Sequence, residues 1–342
     1  MITLLAGFLA SALLVVLAGT SLAQNGDVIA ARTRLGGLWV GSVFLAIATS
    51  LPELATDIAA VRLGEPDLAA GDLFGSSMAN MLILALVSLL PRGELLFRKA
   101  ALDHALYAAL AIIMTCLAAI FIFVRAPVSV LGIGPGSLVL LATYLIGSRA
   151  IFRHTALAPQ AGVVAEMGAD GPAAAPTTPE GGRTLRRAAL GFAGASLIIL
   201  VAAPVFARTS AGLAEASGLG TTFFGTWLVG FATSLPELVT SLAAVRLQAY
   251  DLAVGNLFGS NALNMAMFVP LDVAHSAGPI LAVVSSTHAL SALVAVVMMA
   301  TALAALVYRA KGRFAVLEPG SAILLLTYVA GLGLIYLHAA GR

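Results

Sequence analysis

One stretch of this chain occurs twice. Residues 41–81 read GSVFLAIATSLPELATDIAAVRLGEPDLAAGDLFGSSMANM, and residues 225–265 read GTWLVGFATSLPELVTSLAAVRLQAYDLAVGNLFGSNALNM; at a constant offset of 184 positions, 24 of the 41 pairs are identical. Each copy places one glutamate in an otherwise apolar run, Glu53 in the first and Glu237 in the second. Such a chain is constrained to build two related halves. Two matched acids in two matched membrane segments suggest a single site assembled from both.

Composition identifies the solvent. The chain is 60% hydrophobic and only 10% charged, with mean hydropathy +1.02, whereas a soluble domain is about 25% charged. The fold class expected is an all-α polytopic membrane protein with no room for a large soluble domain. A net charge of +2 gives no reason to expect nucleic acid as a partner. The lone Cys116 lies in an apolar run, which excludes a disulfide framework or a cysteine metal site. The apolar run from Ile2 to Ala23 lacks a basic leader and reads as a first span rather than a cleaved signal.

A spanning helix needs about 20 mostly apolar residues. Ten segments qualify: 2–23, 36–62, 68–90, 102–124, 128–148, 188–207, 222–246, 252–273, 280–307 and 319–338. The polar stretch 149–187 contains AAAPTTPEGG and reads as a flexible linker. It separates an N-terminal five-helix repeat, 1–148, from a C-terminal one, 188–342. With the N-terminus outside, the inner loops and linker hold 14 of the 18 Lys and Arg residues and the outer ones hold 4. The positive-inside rule therefore predicts external termini and a cytoplasmic linker. Five spans per half is odd, so the second repeat enters inverted, about a pseudo-two-fold axis in the membrane plane. The brevity of the chain points to the inner membrane of a prokaryote.

Within each repeat, Glu53 and Glu237 stand nine residues before Arg62 and Arg246, which close their helices. At 1.5 Å per residue this is roughly 13–14 Å, about half of a ~30 Å hydrocarbon core. An ionised carboxylate at that depth costs at least ~2.5–3.5 kcal/mol and marks function. Pro52 and Pro236 lack the N–H that the carbonyls of Ala48 and Ala232 would accept, so helices 2 and 7 are expected to break at T-S-L-P-E. Ser50 and Ser234 sit at capping-box spacing before the glutamates, beside Thr49 and Thr233. Carboxylates, hydroxyls and free carbonyls are hard oxygen donors of the kind Ca²⁺ or Na⁺ prefers. The next helix of each repeat adds a polar stripe at i, i+4, i+8: Asp72, Ser76 and Asn80, matched by Asn256, Ser260 and Asn264. Asp67 and Asp251 open their helices and read as N-caps. Asp103, Asp272 and the five histidines read as structural or surface groups.

These motifs resemble those of the cation/Ca²⁺ antiporter superfamily, most closely its sodium/calcium exchanger branch. The likeness rests on two G/A-T-S-L-P-E segments, each followed by a G-N-x-x-G-S-N-like segment, and covers the whole ten-helix layout. It implies that Glu53 and Glu237 are bidentate calcium ligands. Thr49, Ser50, Thr233 and Ser234 would supply hydroxyl or carbonyl oxygens, and Ala46 and Gly230 would lend carbonyls to flanking sodium sites. Ser76, Asn80, Ser260 and Asn264 would complete the cluster. The first and sixth helices would slide past the rigid remainder. Three positions depart from the family pattern: Asn264, where an aspartate is usual; Asp72, where asparagine is usual; and Asp57, an extra acid one turn beyond Glu53 whose counterpart is Ser241. Asp57 or Asp72 is expected to compensate for Asn264 and to join the cation ligands.

The implied function is exchange of Ca²⁺ for Na⁺ by alternating access, with H⁺-driven exchange of Ca²⁺ or another divalent ion as the alternative. No cofactor is expected beyond the transported ions, the bilayer is the surrounding partner, and the protein is expected to work as a monomer. An enzyme is disfavoured. The segment around Asp72 reads A-A-G-D rather than the G-x-G-D of an intramembrane aspartyl protease, and no H-E-x-x-H occurs. A channel is disfavoured by the repeats and broken helices.

Overall fold

The computed structural model describes residues 2–32, 46–90, 95–99, 104–157, 184–246, 248, 250–309 and 318–340. The first half contains α1 (Ile2–Arg32), α2 (Leu51–Arg62), α3 (Pro66–Val87), α4 (Leu96–Lys99), α5 (His104–Val124) and α6 (Pro135–Leu157). The second contains α7 (Leu185–Ser217), α8 (Thr221–Thr233), α9 (Leu235–Arg246), α10 (Tyr250–Ala266), α11 (Phe268–Ala274), α12 (Ile280–Val283), α13 (Thr287–Tyr308) and α14 (Pro319–Ala340). Eight described helices or stacked helix pairs are long and apolar enough to cross a membrane, and the bent pair α8–α9 makes up to nine. The expected second span, 36–62, begins outside the described residues; its described part is residues 46–49 followed by α2.

Several boundaries differ from the sequence expectation. α1 runs to Arg32, and α7 runs from Leu185 to Ser217 through Pro204 and Arg208. The expected linker 149–187 is partly helical, since α6 continues to Leu157 and α7 opens at Leu185; residues 158–183 lie outside the described set. The expected span 280–307 is interrupted, with a single turn at Ile280–Val283 before α13. Hydropathy registers the apolar content of such stretches but not the turns within them.

The layers follow burial. α3 is the innermost helix, with every residue from Leu68 to Met81 buried. The outer faces of α6, α7 and α14 expose Ile146, Val201 and Leu326, as surfaces meeting lipid do. α1 lies along α7, where Phe8 meets Phe206 at 5.1 Å between ring centroids. α1 also packs on α9, and α7 on α2, so the first helix of each half rests on the glutamate-bearing helix of the other. At the crossing, Gly19 faces both helix-breaking prolines: a Cβ there would lie 2.7 Å from Pro236 Cγ and 3.0 Å from Pro52 Cγ.

Half-buried polar pairs join the halves. His104 Nε2 meets Asp251 Oδ1 at 3.1 Å, and His288 Nε2 meets Asp67 Oδ1 at 3.0 Å. Both residues of the second pair are those of the first displaced by 184 positions, with the roles of the halves exchanged. The aspartates are therefore not the N-caps expected: Glu65 occupies the N-cap of α3, and Asp67 accepts from the Ser285 amide at 2.6 Å as well as meeting His288. Asp272 is a structural clasp, its two oxygens accepting from the amides of Gly134 and Ile280 at 2.7 Å each. Asp103 lies outside the described residues.

α3 and α8 approach backbone to backbone. A Cβ on Gly75 would lie 2.2 Å from the carbonyl oxygen of Thr226. Gly75→Ala is expected to destabilise by about 1–3 kcal/mol, the range for overpacking. Thermal unfolding of the purified variant in detergent, against the parent protein, checks this.

Candidate functional site

The two T-S-L-P-E segments fold alike. Ser50 breaks the helix before α2 at φ −88°, ψ 6°, and Ser234 breaks α8 from α9 at φ −83°, ψ 3°. α8 and α9 meet at a 42° bend, and α8 contains a π-helical turn at Gly225–Val229, a distortion frequent at functional sites. Pro52 and Pro236 follow two residues after each break and contribute no N–H to the preceding turn. The breaks bring Glu53 and Glu237, 1% and 0% exposed, into the centre of the bundle.

The serines do not form capping boxes. Ser50, at the N-cap of α2, makes no side-chain capping bond. Its hydroxyl instead reaches across to Glu237 Oε1 at 3.4 Å, and Thr49 also lies against Glu237. Ser234 lies correspondingly against Glu53. Glu237 is thus addressed by hydroxyls of the other half, while Ser234 Oγ sits beside Glu53 without a hydrogen-bond partner. The capping-box spacing was legible, but the offer of a carboxylate across the interface overrides the local bond.

Asp72 organises the neighbouring hydroxyls. Its Oδ1 accepts from Thr233 Oγ1 at 2.7 Å and from Ser76 Oγ at 3.1 Å. Ser76 Oγ also reaches the Gly230 carbonyl at 3.2 Å. Asp57 is close enough to feel the charges of Asp72 and Glu53, and Glu53 those of Glu237 and Asp72. Glu53, Glu237, Asp57, Asp72, Thr49, Ser50, Ser76, Gly230, Thr233 and Ser234 therefore belong to one connected centre. The carbonyls of Ala46 and Gly230 already accept bonds there. Ala46 O receives the Ser50 amide at 2.9 Å and Thr49 Oγ1 at 3.2 Å.

Asn80 lies farther along α3 and donates through Nδ2 to Asn261 Oδ1 at 2.8 Å. Ser260 and Asn264 are buried on α10, and neither has a hydrogen-bond partner for its side chain. Asn256 donates to Thr240 at 3.4 Å. Asn261 was not singled out from sequence, although the G-S-N segment contains it. Its counterpart in the first copy is Ser77, so the repeat did not point to it.

The centre holds an excess of acceptors. Glu53 Oε2, Glu237 Oε2, both oxygens of Asp57 and Asp72 Oδ2 are buried without a hydrogen-bond donor, as is Asn80 Oδ1 farther along α3. Leaving one such group unpaired costs about 1–3 kcal/mol, more when it is charged. Among the described residues no three His, Cys, Asp or Glu side chains converge as a ready metal cage. Hydroxyl, amide and backbone oxygens have to complete any coordination shell. Oxygen-only donors arranged around carboxylates favour hard cations.

Comparison with known proteins agrees with this geometry. The family model described as "Sodium/calcium exchanger protein" matches residues 3–150 and 187–337. The sodium/calcium exchanger MaX1 of Methanosarcina acetivorans is 40% identical over 83 residues, a match spanning 22% of this chain and only 24% of that protein. The crystal structure of an H⁺/Ca²⁺ exchanger, CAX, superposes with TM-score 0.69 at 16% identity, covering 98% of this chain and 85% of the other. A structure of the sodium-calcium exchanger NCX_Mj gives TM-score 0.60 at 22% identity, covering 97% of this chain and 99% of its own. At these identities the structural likeness is one of fold.

The swapped serine contact has a measurable consequence. Ser50→Ala is expected to weaken cation binding about tenfold, since a hydrogen bond to a charged group contributes about 1.5–3 kcal/mol. It is also expected to lower the melting temperature of the cation-free protein, because Glu237 Oε1 loses that donor. A capping role would lower the melting temperature without changing cation affinity, and thermal-shift titration with CaCl₂ separates the two.

Proposed function

The chain belongs to the cation/Ca²⁺ antiporter superfamily, in its sodium/calcium exchanger branch, and from that premise we propose that it exchanges Ca²⁺ for Na⁺ across the membrane by alternating access. Family membership makes it a membrane antiporter rather than an enzyme. The reading of its ions rests on one observation: a buried carboxylate from each half, Glu53 and Glu237, sharing one centre rich in unpaired oxygens.

The mechanism follows from charge. With both glutamates ionised and the site empty, the centre carries at least −2 in an apolar interior. Occluding that charge is unfavourable. One Ca²⁺ or two Na⁺ ions cancel it and permit the bundle to close over the site and reopen on the other face. Ser50, Thr49 and Ser234 orient the glutamate oxygens, and Asp72 gathers Ser76 and Thr233 at the edge of the site. The gating expected of α1 and α7 fits their packing on α9 and α2, whose breaks flank the glutamates. The inverted arrangement of the two repeats, a cytoplasmic linker and a prokaryotic inner-membrane location complete the proposal.

H⁺-driven exchange is the second reading, and the proximity of Asp57 and Asp72 favours it. Two buried carboxyl groups close enough for their charges to repel are relieved by a proton or a cation. Either acid replaces the negative charge missing at Asn264. A Na⁺ gradient and a pH gradient imposed separately on proteoliposomes distinguish the couplings. Sodium-driven ⁴⁵Ca²⁺ uptake supports the first reading, and uptake driven by pH alone supports the second.

Glu53→Gln and Glu237→Gln are each expected to abolish ⁴⁵Ca²⁺ uptake under both gradients; retained uptake in either contradicts the shared site. If Asp57→Asn and Asp72→Asn both leave the coupling ion and its stoichiometry unchanged, neither acid compensates for Asn264.

A further inference from the structure

A site asparagine binds a cation through its amide oxygen and is useless with the amide turned round. Something must therefore fix which end of the Asn80 amide faces the site. Backbone carbonyls are unambiguous acceptors, and the Ser77 carbonyl receives Asn261 Nδ2 at 3.3 Å. That bond commits the nitrogen of Asn261 to α3 and turns its oxygen toward Asn80. Asn80 has to answer with its own nitrogen, and does so at 2.8 Å. Its oxygen is then left over, buried and without a donor. The relay is fully enclosed, with Asn261 and Asn80 both 0% exposed.

The other half lacks this device. The position matching Asn261 is Ser77, whose hydroxyl is spent on the Leu73 carbonyl of its own helix at 2.9 Å. Both amide atoms of Asn264, the counterpart of Asn80, lack a hydrogen-bond partner. One site amide is pinned and the other is not.

We propose that Asn261 is a positioning residue for the cation site: anchored on the Ser77 carbonyl, it locks the Asn80 amide with its oxygen presented to the ion, while Asn264 turns freely. The inference deepens the antiport reading and rests on it for the identity of the site. It assigns the two halves different duties, a fixed oxygen donor on α3 and an adaptable amide on α10.

The test is a thermal-shift titration of the full-length protein in detergent with CaCl₂ and, separately, NaCl. Asn261→Ala is expected to raise the apparent dissociation constant of the stabilising cation about tenfold, the scale of one lost orienting hydrogen bond. Asn80→Ala is expected to do the same, and the double variant to be no worse than Asn80→Ala alone. Asn80→Asp removes the need for orientation, because a carboxylate offers oxygen at both positions. In that background Asn261→Ala is expected to change affinity less than about twofold, a small fraction of that hydrogen-bond scale. Multiplicative effects in the double variant, or undiminished sensitivity in the Asn80→Asp background, would mean that Asn261 acts on the fold and overturn the proposal. Asn261→Ser, the residue the other half already carries, serves if the alanine variant does not fold. ⁴⁵Ca²⁺ flux is measured alongside on the parent protein. Cation stabilisation without flux overturns antiport and leaves the role of Asn261 to be decided by the titration. No stabilisation of the parent by either cation overturns both.

Discussion

Burying carboxylates inside an apolar bundle sets the terms for the rest of this structure. Each ion of that size taken from water into a protein interior costs several kcal/mol after relaxation unless it is compensated. Four such groups, Glu53, Asp57, Asp72 and Glu237, are at most 1% exposed. The hydroxyls of Ser50, Ser76 and Thr233 satisfy part of their demand, and several oxygens stay without a donor. A permanent filling of hydrophobic or paired residues would have been cheaper for stability alone. The retained deficit is intelligible when a mobile cation supplies the missing positive charge.

The scaffold is arranged to hold that deficit in place. α3 touches α8 backbone to backbone through Gly71, Gly75, Gly225 and Gly230, so its polar face is fixed against the broken helix. The two histidine–aspartate pairs join the halves reciprocally, and Asp272 fastens two loop amides. Against this core, α1 crosses the helix-breaking prolines at Gly19, and α7 packs on α2. Rigid support and a smooth small-residue crossing are the ingredients that a bundle alternating between two arrangements requires.

The repeat made the essential elements legible. The acids, the breaks at Ser50 and Ser234 and the polar stripe all followed from matched spacing and from the chemistry of proline and buried charge. Local rules misled where the two halves interact. Ser50 and Ser234 have capping-box spacing, yet Ser50 donates across the interface to Glu237. Asp67 looks like an N-cap and instead bonds Ser285 and His288, more than 200 positions away. No single-segment pattern encodes such partners. Asn261 escaped because its repeat mate is serine, and comparison of the halves highlights what they share. Helix ends also escaped, since α1 and α7 extend past their apolar cores through turns that hydropathy does not distinguish from loops.

The halves are equivalent in plan and unequal in charge: Asp57 and Asp72 stand opposite Ser241 and Asn256, and neither Asn80 nor Asn264 is an acid. On the proposed reading, the centre nonetheless depends on a single ion bridging both copies. Diffraction from crystals soaked in Sr²⁺, a calcium surrogate with strong anomalous scattering, tests this most directly. A single anomalous peak within coordinating distance of both Glu53 and Glu237 is the expected result. Separate peaks on each glutamate, or none between them, would contradict a shared site.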